Sequence, residues 1–424
     1  MDQDPAHLTA DPDLLLELAC GYERKGHLEY AAAGYRAAGR SAEATGDTGR
    51  LAEALRRLAV VRHRTGHSSE ARSLATRSRE IALRDGQQAL AAEAVNALGG
   101  FELVEERFER AAALFREARE LAGSVIGLLG RIEQNLGTIG SLRGDYESAM
   151  EHYHRSLSAF RAAGNDHGRA TGYHNLGVAC MELGRWEEAD DHLRRCIRAL
   201  ETTDDLYLRG VSLLNHAETL VELGRLREAR LAVEGATGIF DELRAPAELA
   251  DAYRVYGVVC REVRELSAAR AKLVLALEMA GDAGSALGEA ATRRELAVLS
   301  VLTGSPEEAV DHLLRSTAIL LRVRGAVHQP RSGRDGYPVP VRGWRAVLAA
   351  ADPEAMDHAE RVAGVAGATA RALGWAIDRE ARIRLAAWLH EAGRLHYRTD
   401  DPPDERALPA VTAGLLDRAQ LPYG

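Results

Sequence analysis

Eight alanines that recur about every forty residues constrain the fold of this chain more than any other feature. They are Ala31, Ala71, Ala111, Ala149, Ala189, Ala229, Ala269 and Ala309. Five residues before each alanine lies a turn position, and seven residues before that turn lies a second small residue, alanine or glycine. A period of this length is typical of units that cannot bury their apolar face alone. The sequence therefore predicts a stack of eight copies of one unit.

The stretch 173–196 indicates what one unit is. Apolar and small residues recur there at helical intervals on both sides of a turn at Gly184-Arg185, namely Tyr173, Leu176, Gly177 and Cys180 before it and Ala189, Leu193 and Cys196 after it. The unit is predicted to be a hairpin of two helices that approach closely at their small residues. Glu106 and Arg264 replace the turn glycine, so those two turns either differ or adopt the same backbone at a cost in strain.

This pattern resembles the tetratricopeptide repeat (TPR). Its clearest copies are Asn135-Leu-Gly137 with Ala149 and Tyr153, Asn175-Leu-Gly177 with Ala189 and Leu193, and Ala97-Leu-Gly99 with Ala111, Phe115 and Ala118. The resemblance covers residues 12 to 324, although the period is about forty residues and not the family's common thirty-four. It implies an all-α fold, a TPR-like right-handed superhelical solenoid of about eight helical hairpins. The first helix of each hairpin would line a concave groove.

Composition narrows the classes of function. The net charge is -9 and both signs are interspersed, which argues against a nucleic-acid-binding surface. The N-terminus is acidic, and the chain lacks the run of about 18 apolar residues that would suggest a membrane span. None of the four cysteines forms a Cys-x-x-Cys motif, so we expect the cysteines to serve as small buried side chains. A soluble cytoplasmic protein without nucleic-acid or membrane partners is predicted.

Three asparagines are the main candidates for a binding role. Asn135, Asn175 and Asn215 each lie two residues before the small residue of the first helix, in three consecutive repeats. Asparagine is a poor helix former, and its amide offers both a donor and an acceptor. The family resemblance implies that these amides bind the backbone of an extended peptide; hydrogen bonds between repeats are the alternative. Neighbouring first-helix residues predicted to line the same groove are Arg131, Gln134, His174, Glu182 and Glu222.

The repeat pattern stops near Gly325. Residues 325–345 are rich in proline, glycine and arginine and show no helical period, which predicts a linker. Helical patterning resumes at Trp344 and continues without the forty-residue signature. The predicted organisation is therefore a solenoid over 1–324, a linker over 325–345 and a helical module over 346–424.

The C-terminal module contains two histidine motifs, His358-Ala-Glu-Arg-Val362 and Leu389-His390-Glu391-Ala-Gly-Arg394. With these motifs it resembles the start of an HD-type metal-dependent phosphohydrolase of the HD-GYP branch. The resemblance implies metal-ligand positions at His358, His390 and Glu391, where divalent ions would activate a water against a phosphodiester.

The module also departs from the HD pattern. Glu391 and Arg394 stand where the family has aspartate and lysine, and Leu408 stands where another ligand histidine belongs. We therefore expect a degenerate module with no catalytic residues and no metal cofactor. The alternatives are a chance match, an iron, manganese or zinc site completed by unconventional ligands or by a partner chain, and a truncated piece of a longer enzyme.

The sequence as a whole predicts a peptide- or protein-binding regulatory or scaffold protein. The C-terminal module would be regulatory or would mediate homo-oligomer assembly. One alternative is an HD-family phosphohydrolase or cyclic-dinucleotide phosphodiesterase with a TPR sensor. Another is a signal-peptide receptor that acts on a separate output chain.

Overall fold

The computed structural model describes residues 11–201, 203–324, 344–349, 353–372 and 388. All regular secondary structure in these residues is helical, and the described part of the chain contains no strand. The predicted all-α fold is therefore confirmed.

Seventeen helices are numbered here in chain order, and the first sixteen form the eight predicted hairpins. Their bounds are α1 Pro12–Arg24, α2 Leu28–Thr45, α3 Thr48–Arg64, α4 Ser68–Arg84, α5 Gln88–Val104, α6 Phe108–Ala122, α7 Ile126–Leu142, α8 Tyr146–Ala162, α9 Asp166–Glu182, α10 Trp186–Leu200, α11 Leu206–Glu222, α12 Leu226–Glu242, α13 Pro246–Glu262, α14 Leu266–Asp282, α15 Ala286–Leu302, α16 Pro306–Arg324 and α17 Pro353–Ala372. Residues 344–349 are also helical.

Each hairpin turns through one residue in the left-handed region. The eight predicted turn positions all have positive φ, with values of 77° at Gly26, 84° at Gly66, 58° at Glu106, 75° at Gly144, 72° at Gly184, 70° at Gly224, 65° at Arg264 and 77° at Gly304. Backbone hydrogen bonds close the helix end there; for example, Arg185 N donates to Cys180 O at 2.9 Å. Glu106 and Arg264 thus adopt the same turn as the glycines.

The two helices of a hairpin meet at their small residues. The eight alanines of the second helices have no exposed surface. Opposite them, first-helix glycines leave no room for a side chain: a Cβ on Gly137 would lie 2.5 Å from Tyr153, and one on Gly177 would lie 2.7 Å from Leu193. Because real Cβ atoms do not approach other atoms this closely, helix spacing within a hairpin depends on these positions.

Buried serines add hydrogen bonds within three hairpins. Ser78 Oγ donates to Ala52 O at 2.6 Å, Ser156 Oγ to Gly130 O at 2.8 Å and Ser316 Oγ to Ala290 O at 2.7 Å. Each serine lies seven residues after the recurring alanine of its second helix, at a position where a small side chain is needed. The hydroxyl therefore satisfies its own hydrogen-bonding requirement against the backbone of the first helix.

The chain divides into two compact units, residues 1–172 and 173–424. In the second unit, C-terminal helical residues cover the last hairpin. Trp344 is fully buried, and its Nε1 donates to Thr317 Oγ1 at 3.2 Å. One apolar cluster contains Trp344 together with Leu313 of α16 and Ala359 of α17. The predicted linker over 325–345 is outside the described residues up to 343, so its role as a linker stays a prediction.

We expect Gly137→Ala to destabilise the chain by about 1–3 kcal/mol, because the new Cβ overlaps the Tyr153 ring. Gly127→Ala, on the same helix α7, meets nothing within 4 Å and should stabilise it by about 0.5–1 kcal/mol through helix propensity. Urea denaturation of both variants checks this pair. Equal effects would show that the close approach does not limit the packing.

We also expect Arg264→Gly to stabilise the chain by about 1 kcal/mol, because glycine adopts positive φ without a steric penalty. The Arg264 side chain is exposed and makes no ion pair with a described residue, so no contact is lost. Gly224→Ala at the equivalent turn should lower stability by about the same amount. The urea midpoints of the two variants should move in opposite directions, and a shared direction would contradict the backbone explanation.

Candidate functional site

First helices of successive hairpins line a cavity of about 720 Å³ in the second unit. We call it the second-unit cavity. Helices α9, α11, α13 and α15 all contribute, as does the helical segment 344–349, with the lining residues Glu182, Glu218, Val221, Glu222, Arg254, Val255, Val258, Arg261, Glu262, Ala291, Arg294, Glu295, Val298 and Ala346. The predicted residues Glu182 and Glu222 are among them. Valine side chains form much of the apolar part of this surface.

Two half-buried arginines hold the neighbouring first helices in register. Arg254 Nη2 of α13 lies 2.9 Å from Glu218 Oε1 of α11, and Arg261 Nη1 lies 2.7 Å from Glu295 Oε2 of α15. Burial disfavours the charge on Glu295, but Arg261 and Arg254 outweigh it and hold its pKa below the usual range. Glu295 therefore stays ionised at neutral pH, and its charge is largely satisfied by the two arginines.

Three acidic residues occupy one repeat position along the same cavity. Glu182, Glu222 and Glu262 are forty residues apart and are the last residues of α9, α11 and α13. A carboxylate at a helix C-terminus is disfavoured by the helix dipole. Glu262 is paired with Arg261, whereas Glu182 makes no ion pair with any described residue. The helix ends thus place negative charge along one side of the cavity.

Asn175 and Asn215 lie on the same helix faces as these acids. On α11, Asn215, Glu218 and Glu222 are spaced by three and four residues, so they share one face. Both asparagines are half-buried, and their side-chain amides make no hydrogen bond with any residue that the structure describes. Neither asparagine is among the residues that line the second-unit cavity, but each amide offers a donor and an acceptor on a helix that contributes to the lining.

Three further predicted groove residues, Asn135, Arg131 and Gln134, lie in the first unit. Asn135 Nδ2 donates to Asn96 Oδ1 at 3.1 Å, and Arg131 Nη2 lies 3.1 Å from Glu93 Oε1. Gln134 is half-buried, and its backbone carbonyl accepts a hydrogen bond from Thr138. Asn135 thus makes the hydrogen bond between repeats that was the alternative for the asparagines, while Asn175 and Asn215 do not.

His174 lies between two helices and not on an open surface. Its Nδ1 is 2.9 Å from Ser212 Oγ of α11, and that hydroxyl also contacts Leu208 O at 2.7 Å and Cys196 Sγ at 3.2 Å. Burial lowers the pKa of His174 to about 4. The imidazole is therefore neutral at physiological pH and contributes to the packing of α9 on α11. Burial likewise raises the pKa of the Cys196 thiol to about 11, which leaves it protonated.

Sequence analysis missed a buried carboxylate that joins hairpins five and six. Asp190 Oδ1 lies 2.7 Å from His216 Nε2, and its other oxygen contacts Arg194 and, at 2.8 Å, Arg225 Nη1. Burial would raise the pKa of Asp190, but the hydrogen bonds from His216, Arg225 and Arg194 hold it low. An acidic residue directly after the repeat alanine was the available signal, because that position lies next to the buried face.

The C-terminal candidates are only partly described. His358 is exposed on α17, whereas His390, Glu391 and Arg394 lie outside the described residues. Among described residues, no group of three or more histidine, cysteine, aspartate or glutamate side chains could hold a metal ion. The HD-like resemblance stays a prediction. The four cysteines are free thiols, and three of them are buried.

The free energy of unfolding should decrease as the pH is lowered from about 6.5 to about 4, because of His174. Its folded pKa lies below its ordinary value of 6.5, so the unfolded chain binds the proton first in this window. The loss is at most about 3 kcal/mol, with a contribution of the same sign from His216, whose pKa burial also lowers. His174→Asn keeps a donor towards Ser212 but does not titrate, so urea midpoints measured against pH should slope less. An unchanged slope would contradict this assignment.

Comparison with known proteins agrees with the hairpin geometry. Residues 129–202 and 168–242 match the tetratricopeptide repeat family. A sequence search of curated proteins gave no match. Within the described residues, no helix is both long enough and apolar enough to cross a membrane.

Three solved structures illustrate the similarity. A signal transduction ATPase with a tetratricopeptide repeat sensor, from Pyrococcus horikoshii, is 14% identical; the match covers 73% of this chain and 47% of that chain, with a TM-score of 0.58. A Rap protein complexed with competence and sporulation factor is 12% identical over 80% of this chain and 97% of that chain, with a TM-score of 0.50. BtubC from P. vanneervenii is 21% identical over 50% of this chain and 91% of that chain, with a TM-score of 0.45.

At these identities the solved structures show the fold alone. The family match lies in the central repeats, whose turns, buried alanines and close glycine contacts recur along α1 to α16. The chain therefore contains tetratricopeptide repeats, and its helical hairpins form an all-α TPR-like solenoid.

Proposed function

We propose that this chain is a regulatory or scaffold protein that binds a peptide or protein segment along the second-unit cavity. The observation that carries the proposal is a pair of amides, Asn175 and Asn215, that make no hydrogen bond with a described residue and lie on two of the helices, α9 and α11, that line the cavity of about 720 Å³. A segment bound in extended form must satisfy its own backbone N–H and C=O groups. Two amides forty residues apart in sequence, on α9 and α11, can each serve one such group.

The cavity is lined by apolar and by charged side chains, which supports the binding of a segment that carries both kinds. The partly exposed Val221, Val258 and Val298 provide apolar contact, and their burial by a ligand would supply most of the affinity. Arg254 and Arg261 already pair with Glu218 and Glu295, so they hold the shape of the surface. The groups left to select a ligand are the amides and Glu182.

One protein with a similar fold, the Rap protein, was solved in a complex with competence and sporulation factor. That similarity concerns the fold, so the transfer of a binding role to this chain is a proposal. We extend it to a cytoplasmic protein whose C-terminal segment is non-catalytic, holds no metal and is regulatory or mediates assembly. The packing of Trp344 against the last hairpin supports a structural connection between that segment and the repeats.

The proposal is tested with a displayed library of random dodecapeptides selected on the full chain. We expect retained peptides, and we expect Asn175→Ala combined with Asn215→Ala to weaken them roughly tenfold or more, the loss of two backbone hydrogen bonds. The melting temperature should change little, because these amides make no hydrogen bond within the described residues.

The matched control is Glu187→Ala combined with Glu188→Ala, which alters two exposed residues of the second helix α10 outside the cavity. This control should bind the selected peptides like the unmodified chain. Failure of the unmodified chain to retain any peptide, or equal binding by the asparagine double variant, would overturn the proposal. A large fall in melting temperature of that variant would indicate a structural role for the amides instead.

A further inference from the structure

A separate cavity of about 310 Å³ lies in the first unit. First helices α3, α5 and α7 form it, with the lining residues Arg56, Arg57, Val60, Glu93, Asn96, Ala97 and Arg131. We call it the first-unit cavity. Three guanidinium groups therefore share this cavity with a single carboxylate.

The hydrogen-bond acceptors of the first-unit cavity are already engaged. Arg56 Nη2 lies 2.8 Å from Glu93 Oε2, and Arg131 Nη2 lies 3.1 Å from Glu93 Oε1. The amide oxygen of Asn96 accepts from Asn135 at 3.1 Å. Both carboxylate oxygens and the amide oxygen thus each have a donor, and the single carboxylate is divided between two arginines.

Donors, by contrast, remain in surplus. Each guanidinium has five N–H groups, of which Glu93 takes one from Arg56 and one from Arg131. Arg56 Nε is buried without a hydrogen-bond partner, although the side chain is 17% exposed. Arg57 is more fully engaged, because its Nε donates to Glu53 at 3.0 Å, its Nη1 donates to Cys20 Sγ at 3.7 Å and its guanidinium also bonds Tyr35; the surplus therefore lies mainly on Arg56 and Arg131. The amide N–H₂ of Asn96 makes no hydrogen bond with a described residue.

The crowding of like charges is also visible at Arg56. Burial lowers the pKa of its guanidinium, the carboxylates of Glu93 and Glu53 raise it, and the neighbouring charges of Arg57 and Arg131 lower it. Three cations held close together at a partly buried surface repel one another. An additional negative group would relieve that repulsion and accept the unused N–H groups.

We infer that the first-unit cavity binds an oxyanion, a carboxylate or phosphoryl group carried by a peptide. Oxyanions only accept hydrogen bonds, and guanidinium forks bind them in a bidentate manner. Val60 and Ala97 supply apolar contact for the chain that carries the group. This inference goes beyond the proposed function, because it assigns a ligand chemistry to a different cavity and different helices.

The test uses pools of acetylated hexapeptides that differ only at one central residue, which is glutamate, phosphoserine or glutamine. We expect the full chain to bind the glutamate or phosphoserine pool at least about tenfold more tightly than the glutamine pool. Titration with inorganic phosphate and with acetate alone separates a free anion from a peptide-borne group. If phosphate alone displaces the bound peptide, the site binds the free anion. If phosphate does not displace it, the site requires the group carried by a peptide.

Variants of the cavity then locate the binding. Arg131→Gln should weaken the preferred pool about tenfold, because it removes one charge-assisted fork; Glu93 keeps its contact with Arg56. Arg56→Lys retains the charge but loses the fork and should give an intermediate loss. Arg77→Gln is the matched control, since Arg77 is 54% exposed on α4 and pairs only with Glu43, which is 59% exposed.

Equal binding of all three pools would overturn the inference, as would equal losses in Arg131→Gln and Arg77→Gln. The outcome is independent of the second-unit cavity. In the double variant of Asn175 and Asn215 the preference for the acidic pools over the glutamine pool should remain, because the amides would contact the backbone that all pools share, so failure of either proposal leaves the other testable.

Discussion

The close approach of two helices at small residues is the contact on which every other feature of this chain depends. A Cβ on Gly137 or Gly177 would overlap the side chain opposite, and the alanines of the second helices are fully buried. This spacing sets where the next hairpin can pack, because each hairpin buries its remaining apolar stripe on its neighbour. The left-handed turn then follows from geometry: once the helices are fixed, the connecting residue must adopt positive φ, whether it is glycine or Arg264.

The charged residues have a second, longer-range role that composition conceals. A residue on one first helix lies beside a residue about 34 to 38 positions away on the next, as in Arg261–Glu295, Arg254–Glu218 and Arg131–Glu93. Interspersed charges of both signs are therefore the expected composition of such a stack. Exposed pairs of this kind contribute little stability, but half-buried ones fix which neighbour a side chain can reach. A binding residue must then be sought among the groups that these pairs leave over.

The repeats were predictable from sequence because their determinants are local and periodic. All eight turns and all eight alanines were identified from spacing alone, since a small residue or a turn acts within its own hairpin.

Contacts between repeats were not predictable in the same way. Asn135 pairs with Asn96, which is one residue away from the position that the repeat aligns with it. His174 turns towards Ser212 and is half-buried. The packing between hairpins decides which neighbour each side chain reaches, and periodicity does not specify it.

The two cavities show why one scaffold can carry different binding chemistries. The positions that hold a hairpin together, such as Gly137 and Ala149, contribute nothing to the first-helix surface that remains open. Residues on that surface that take no part in ion pairs between repeats can therefore change without loss of packing. The two units differ in such residues, because arginines exceed carboxylates at Glu93 whereas acids recur at the helix ends near Glu182. The scaffold requires neither the extra arginines nor the extra carboxylates for its stability. These extra charges are therefore the groups that would determine which ligand binds. Residues whose charges or amides have no counterpart in the stack are accordingly better candidates for function than residues that merely recur in it.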